Sequence, residues 1–286
     1  MIIYSKANNS INLYEKEINA FAFQTSEQFT QFIEGVIYYS KYKGASPDIS
    51  FHIMNNHYED IKKSQIFPVL MNCGIYQLEE EKEFKDALLK SFEEQLYSDR
   101  KSSQKFYELE VKLNELLSEL SITSSHYNFD YLNEKFHPKN LMKLLTIDYH
   151  LDSEDLLHHQ KRELYLDYLL RTKPEDKDAI IFIIYPELFL AQKELDTFIK
   201  NLKNRKETVV LITGTIRVLK EINIRNINLI KKDREKYDII DLMNELELFN
   251  LQDKHLKEIQ AIHLSFHDFT SNEIFLHEKY REFLSN

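Results

Sequence analysis

Thr213-Gly214-Thr215 follows the apolar run Val209-Val210-Leu211-Ile212, a position where a phosphate-binding loop would sit. Such a loop needs several glycine amides turned toward the phosphates, then a Lys-Ser or Lys-Thr step for the remaining charge and a magnesium ion. The 286-residue chain has four glycines, Gly35, Gly44, Gly74 and Gly214, and no lysine completes this turn. Nucleotide binding and hydrolysis are therefore not expected. The histidines offer little more. His158 and His159 are adjacent on a helical pattern, where neighbours diverge by about 100° and cannot easily share an ion. His263 and His267 fall on one helical face, with Asp268 beside them, but a zinc site needs a further ligand. Cys73 is the only cysteine, so it makes no internal disulfide and no thiolate cluster. No Ser-His-Asp order or paired-carboxylate spacing stands out, and the chain is not expected to be an enzyme.

The residues left are the basic ones. Lys41-Tyr42-Lys43, Lys62-Lys63 and Lys203-Asn204-Arg205-Lys206 lie at the ends of elements or in loops. Lys and Arg at such points suit phosphate contacts, and equally suit an ordinary solvated turn. The whole chain argues the other way: 37 Lys and Arg against 47 Asp and Glu give a formal charge of -10. Nucleic-acid binding then requires that the positive residues be gathered on one surface.

The elements that would gather them follow from the hydrophobic pattern. Ile2-Ile3-Tyr4, Ile11 to Tyr14 and Ala20 to Phe23 have strand character, and a helix capped by Thr25 or Ser26 runs to about Tyr39 on Phe29, Phe32, Ile33 and Val36. Gly44 and Pro47 precede an alternating strand, Ile49 to Ile53. From Glu83 to Leu120, apolar residues at helical spacing predict a long helix or a hairpin interrupted around Ser98 to Ser103. A helix capped by Ser153 is expected to run to Leu170, with Leu156, Leu157, Leu164 and Leu170 on its apolar side. Ala179 to Tyr185 is a continuous apolar run, the mark of a strand buried on both faces. The helix Lys193 to Leu202 and the strand Thr208 to Ile212 complete a βαβ unit with a parallel sheet. After Asn228, the cluster Lys231, Lys232, Arg234 and Lys236 leads into mostly helical sequence. No basic-then-apolar leader and no long uncharged apolar run is seen, so a cytoplasmic location away from membranes is expected.

This order resembles the CRISPR-associated Csn-two family, the adaptation protein of type II-A loci. The resemblance rests on Ile180 to Tyr185 followed by Leu188-Phe189-Leu190, on the helix Lys193 to Leu202, on Val209 to Ile212, and on Ile61 to Ile66 ahead of the acidic helices from Glu79 to Leu120. It covers about residues 15 to 230, and the remainder looks like that of a longer variant. It implies an α/β fold with a P-loop-ATPase-like head, a mostly parallel sheet and a protruding α-helical leg. The expected divisions are 1–80 and 172–230 for the head, 81–171 for the leg and 231–286 for an extension. The resemblance further implies a homotetrameric ring that holds linear double-stranded DNA on a basic inner wall. Such a ring works with the effector nuclease and integrase of its locus during spacer acquisition. On that reading Lys41, Lys43, Lys62, Lys63, Lys203, Arg205 and Lys206 are the DNA-binding candidates.

The family also implies Ca²⁺ at the junction of leg and head, where this chain carries Glu119, Asp130 and Glu134. Calcium takes roughly six to eight oxygens, and Ser121 to Asn128 is thin in carboxylates, so calcium is expected to matter less here. Two other functions stay open on the residues alone. One is a degenerate NTPase-like or metal-dependent nucleic-acid enzyme. The other is an acidic helical adaptor that never touches DNA.

Overall fold

The computed structural model describes residues 1–41, 50–75, 77–78, 81–119, 121–123, 128–130, 138, 156–247 and 253–271. The chain divides into two compact units. The first comprises Met1–Tyr76, Leu157–Leu166 and Lys173–Asn286; the second comprises Gln77–Leu156 and Asp167–Thr172.

The first unit is built on two sheets. Strands β1 (Ile2–Ser5), β2 (Asn8–Asn12) and β4 (Phe51–Met54) form an antiparallel sheet in the order β2-β1-β4. Strands β3 (Ile18–Phe23), β5 (Ile66–Asn72), β8 (Asp178–Ile184), β9 (Thr208–Ile212) and β10 (Ile227–Ile230) form a second sheet, all parallel, in the order β10-β3-β9-β8-β5. This is an α/β fold. In β8 every residue after Asp178 is buried, as its unbroken apolar run predicts. Pro68 is compatible with β5 because that strand lies at the sheet edge, where a missing N–H costs no ladder bond on its outer side.

Helix α1 (Ser26–Lys41) packs against β3 and β5 of the parallel sheet and β4 of the antiparallel one. Its Phe32 stacks on Phe21 at 5.1 Å and meets Phe51 edge-on at 5.5 Å, and Phe51 in turn reaches Phe182 at 6.1 Å. Gly35 faces Phe51 so closely that a Cβ there would lie 2.8 Å from the ring. Helix α1 and the two sheets therefore share one aromatic core, which also takes in Ile3, Ile53, Ile180 and Val210.

In the second unit, α2 (Lys82–Ser98) and α3 (Arg100–Glu119) pack on one another as a hairpin. The break falls at Asp99, inside the interval read from the sequence. Asp99 leaves α2 in an extended conformation and caps α3, accepting from the backbone N–H of Ser102 at 3.0 Å. A short antiparallel pair follows, β6 (Ser121–Thr123) with β7 (Asn128–Asp130).

Helix α4 (His158–Arg171) begins later than the sequence reading placed it, and Ser153 lies outside the described residues. Its buried side is Arg162, Tyr165, Leu166 and Leu169, and Leu157 is 51% exposed. Leucines and tyrosines occur on every side of this helix, so leucine spacing alone selects the wrong face.

Four elements complete the first unit. They are α5 (Gln192–Lys203), the single turn α6 (Ile216–Leu219), α7 (Ile239–Glu247) and α8 (Lys254–Ser271). The apolar stripe of α5, Leu195, Phe198, Ile199 and Leu202, is fully buried, as its spacing predicts. Helix α8 packs on α6 and α7, and the Gln24 amide, just past β3, donates to the Phe269 carbonyl at 3.2 Å. The extension thus rests on the carboxyl end of the parallel sheet.

Candidate functional site

The two ends of a parallel sheet differ chemically, because the strands all emerge at one and all enter at the other. Phosphate ligands of such folds sit at the carboxyl end, where a strand hands over to a helix N-terminus. Here β3 hands over to α1, β8 to α5 and β9 to the single turn α6. Besides the turn after β9, to which the sequence directs the search for a phosphate loop, the topology offers Gln24-Thr25 between β3 and α1. This two-residue link has neither glycine nor lysine, and the Thr25 hydroxyl is spent accepting from the Gln28 N–H at 3.2 Å. The turn after β9 leads only into α6, and a Cβ on Gly214 would meet nothing within 4 Å. No close backbone approach requires glycine at that position.

Beside that turn lies a buried polar cluster. Arg162, 2% exposed, donates to the carbonyls of Pro186, at 2.6 Å, and Leu188. It therefore clamps the loop after β8, in which Tyr185 and Phe189 both take left-handed φ values of 56° and 59°. Glu187, in the middle of this loop, accepts from the Thr213 hydroxyl at 3.0 Å. Burial raises the Glu187 carboxyl above its ordinary value, while hydrogen bonds from Thr213 and Gly214 and the charge of Arg162 oppose that rise. The Cys73 thiol is pushed up to about 12 by burial, which leaves it protonated and without nucleophilic character at neutral pH. His159 lies 3.7 Å from Glu194 on the same side of the unit. Arg162 and Glu187 are each held by hydrogen bonds to this loop or to the turn after β9, so the pair fixes the loop.

The basic candidates collect at the opposite end. Helix α1 runs back along the sheet, so Lys41 closes it near where β5 begins. Lys63, three residues ahead of β5, places its ammonium 4.7 Å from the ring centre of Tyr39 and 5.7 Å from that of Tyr38. Burial there lowers its pKa below the ordinary lysine value. Lys62 beside it is exposed. Lys203 ends α5, and Arg205 and Lys206 lead into β9, two strands from β5 and hence roughly 10 Å away at the usual strand spacing. Lys203 and Lys206 are exposed and Arg205 is half-buried. Lys43 lies outside the described residues.

Two further cations share this end, Lys16 ahead of β3 and Lys177 ahead of β8. Lys16 has a left-handed φ of 59°, and its N–H donates to the Thr208 hydroxyl at 2.9 Å. Both are legible only as residues within two positions of the start of a strand. Glu17, Asp178 and Glu207 lie among them. A cleft of about 190 Å³ opens there, lined by Lys16, Glu17, Lys203, Glu207, Asn223 and Asn226 among others.

The calcium candidates are more scattered. Glu119 ends α3 and is exposed, and the strand register sets Asp130 opposite Ser121, two residues further along. Glu134 lies outside the described residues. Two carboxylates supply too few oxygens for a calcium cage, so the described residues do not by themselves fit the ion. Among the described residues no group of three His, Cys, Asp or Glu side chains could hold a metal. His263 and His267 are both exposed on α8. Among those residues, too, no helix is long and apolar enough to cross a membrane.

No family model matches the chain, and no curated protein matches it by sequence. Among solved structures, it is similar to Stu0660 of Streptococcus thermophilus. The TM-score is 0.59 and the identity 17%, over 93% of this chain and 85% of that one. At this identity the likeness shows the fold.

Proposed function

We propose that this chain is a non-catalytic protein that binds the ends of linear double-stranded DNA as a homotetrameric ring. In this reading it serves spacer acquisition in a type II-A CRISPR system. One observation carries the reading: Lys41, Lys62, Lys63, Lys203, Arg205 and Lys206, separated by up to 165 positions in sequence, converge on the amino end of one sheet. In a chain of charge -10, such convergence is the condition that DNA binding requires. A ring of four chains repeats each cation around its axis, which multiplies a modest local excess. The shared fold with a Streptococcus thermophilus protein supports the sequence resemblance to the Csn-two family. Partnership with the effector nuclease and integrase follows from that resemblance.

Lys41 and Lys203 also close helices, where a cation is stabilised by the helix dipole whether or not DNA is present. A test must therefore measure phosphate contacts directly. Charge reversal of Lys203, Arg205 and Lys206 together should flatten the salt dependence of duplex binding by about 0.9 per lost contact. Light scattering should still give a tetramer. A variant that binds with the wild-type slope would remove the amino end of the sheet from the reading.

A further inference from the structure

A cleft of about 600 Å³ opens where β1 enters the antiparallel sheet, and the proposed function makes no use of it. Its lining combines the buried apolar side chains Ile2 and Leu13 with two exposed tyrosines, Tyr14 and Tyr58, and with Asn56. Small-molecule sites span roughly 300–1,000 Å³ and pair an apolar lining with a few polar groups, so both size and character fit a ligand.

Tyr58 is held there against its own backbone preference. The chain reverses after β4 through residues 56–58, closed by the Asn55 N–H on the Glu59 carbonyl at 2.9 Å and the Tyr58 N–H on the Asn55 carbonyl at 3.1 Å. A three-residue hairpin loop of this kind ends on a left-handed residue, a position suited to glycine. Tyr58 occupies it at a φ of 63°. Asn55 locks the turn. Its side-chain oxygen accepts from the N–H groups of His57, at 2.8 Å, and Glu59, at 3.1 Å, and its amide donates to the Glu59 carboxylate at 2.9 Å. Packing does not offset the strain, because Tyr58 is 67% exposed. A bulky aromatic fixed in a costly conformation and left in solvent is where a ligand contact is expected.

The other tyrosine leads to the basic end of the parallel sheet. Asn19 ties its turn down, accepting from the Tyr14 N–H at 2.8 Å and donating to the Tyr14 carbonyl at 2.9 Å. Two residues on, the Lys16 N–H donates to the hydroxyl of Thr208, itself two residues after Lys206. The cleft thus adjoins the cations proposed to hold phosphates, and Glu15, a carboxylate in its lining, is engaged by the Met1 amine at 3.1 Å. We infer that the cleft lined by Tyr14 and Tyr58 takes an unpaired nucleobase from a single-stranded overhang at the end of the duplex. This rests on the reading of the chain as a binder of duplex ends. Tyrosine rings stack on the flat face of any base, and the Asn56 amide suits base edges, so the overhang is held with little dependence on sequence.

The test compares three duplexes of one sequence by fluorescence anisotropy at fixed salt, using the full-length chain. One is blunt, one carries a short oligothymidine overhang, and one carries an abasic overhang of the same length. The wild-type chain should bind the thymidine overhang between about 5-fold and about 150-fold tighter than the blunt end, the range for one stacked base. The abasic overhang adds the same phosphates without bases and should gain far less. Tyr58→Gly and Tyr14→Ala should each remove most of the preference and leave blunt binding unchanged, while Tyr58→Phe keeps it. The melting temperature of Tyr58→Gly should hold or rise, since glycine accepts the left-handed backbone. A mononucleotide at millimolar concentration should not compete, because a single base is held too weakly by itself.

A thymidine overhang that binds no tighter than the blunt or the abasic duplex overturns this inference and leaves the proposed function standing. So does a preference that survives in both variants, or one that falls only together with the melting temperature. Competition by the mononucleotide overturns it in favour of a free nucleotide. Loss of binding to a proline-rich peptide in the same variants, with the overhang preference intact, assigns the cleft to a protein partner and overturns it as well. Wild-type protein that binds none of the duplexes overturns the proposed function along with it.

Discussion

Arg162 is the side chain whose removal should be felt most sharply at the carboxyl end of the sheet. The substitution Arg162→Leu keeps some apolar contact with Phe198, whose ring centre lies 5.7 Å from the guanidinium carbon. It leaves the carbonyls of Pro186 and Leu188 without their donor and Glu187 without a neighbouring cation. Unmade buried hydrogen bonds cost about 1–3 kcal/mol each, and breaking a buried charged contact costs about 3–5 kcal/mol in total. A loss of about 3–5 kcal/mol is therefore expected, read as a lower urea midpoint at unchanged slope.

The pH dependence has a definite sign. Burial raises the Glu187 carboxyl, so the folded chain holds this proton at pH values where the unfolded chain has released it. Its contribution to stability is greatest in acid and falls as pH rises from the ordinary carboxylate value through the raised one. Removing Arg162 raises the carboxyl further, so the variant should lose more at about pH 8 than at about pH 5. Adding Glu187→Gln should recover the pH-dependent part. A loss below about 1 kcal/mol, or one equal at both pH values, would refute the clamp, since a buried charge left without its cation costs more than that.

Gly35→Ala should destabilise the first unit by about 1–3 kcal/mol through overpacking against Phe51, outweighing alanine's better helix propensity. Gly214→Ala should be silent in the same denaturation assay, since its Cβ would enter open space. Mg-ATP should neither be hydrolysed nor raise the melting temperature, because the β3–α1 link offers no phosphate cradle; turnover that disappears in a Gly214 or Thr215 variant would contradict this. Calcium titration by calorimetry should show weak binding, given the two described carboxylates. Several tight sites per chain, lost in Asp130→Ala or Glu134→Ala, would contradict that expectation.

The sequence was most informative where a single physical cause acts alone. The run Ala179 to Tyr185 could only be a doubly buried strand, and Leu195, Phe198, Ile199 and Leu202 could only be one helical stripe. Two strands of the sheet were harder to read. β5 contains Pro68, which argues against a strand unless its edge position is known. β10 carries Asn228, a polar residue that is nonetheless buried, its amide donating to the Ala20 and Asn226 carbonyls. Both depend on partners distant in sequence. The basic candidates were legible as clusters, but their meeting at one sheet end follows from strand order, which no local pattern reveals. Nothing in the spacing of Arg162 marks it as a buried clamp, since the carbonyls it holds lie 24 and 26 residues further along the chain.

The central claim is that four copies of this chain close around the end of a linear duplex. Competition between a linear fragment and a relaxed circle of the same sequence, measured by anisotropy on protein shown by light scattering to be tetrameric, tests it most directly. Linear DNA should bind far better, without preference for sequence. With roughly five phosphate contacts, its affinity should fall on the order of 500-fold between 50 and 200 mM salt. Equal affinity for the circle, or a monomer that binds neither, would contradict the account.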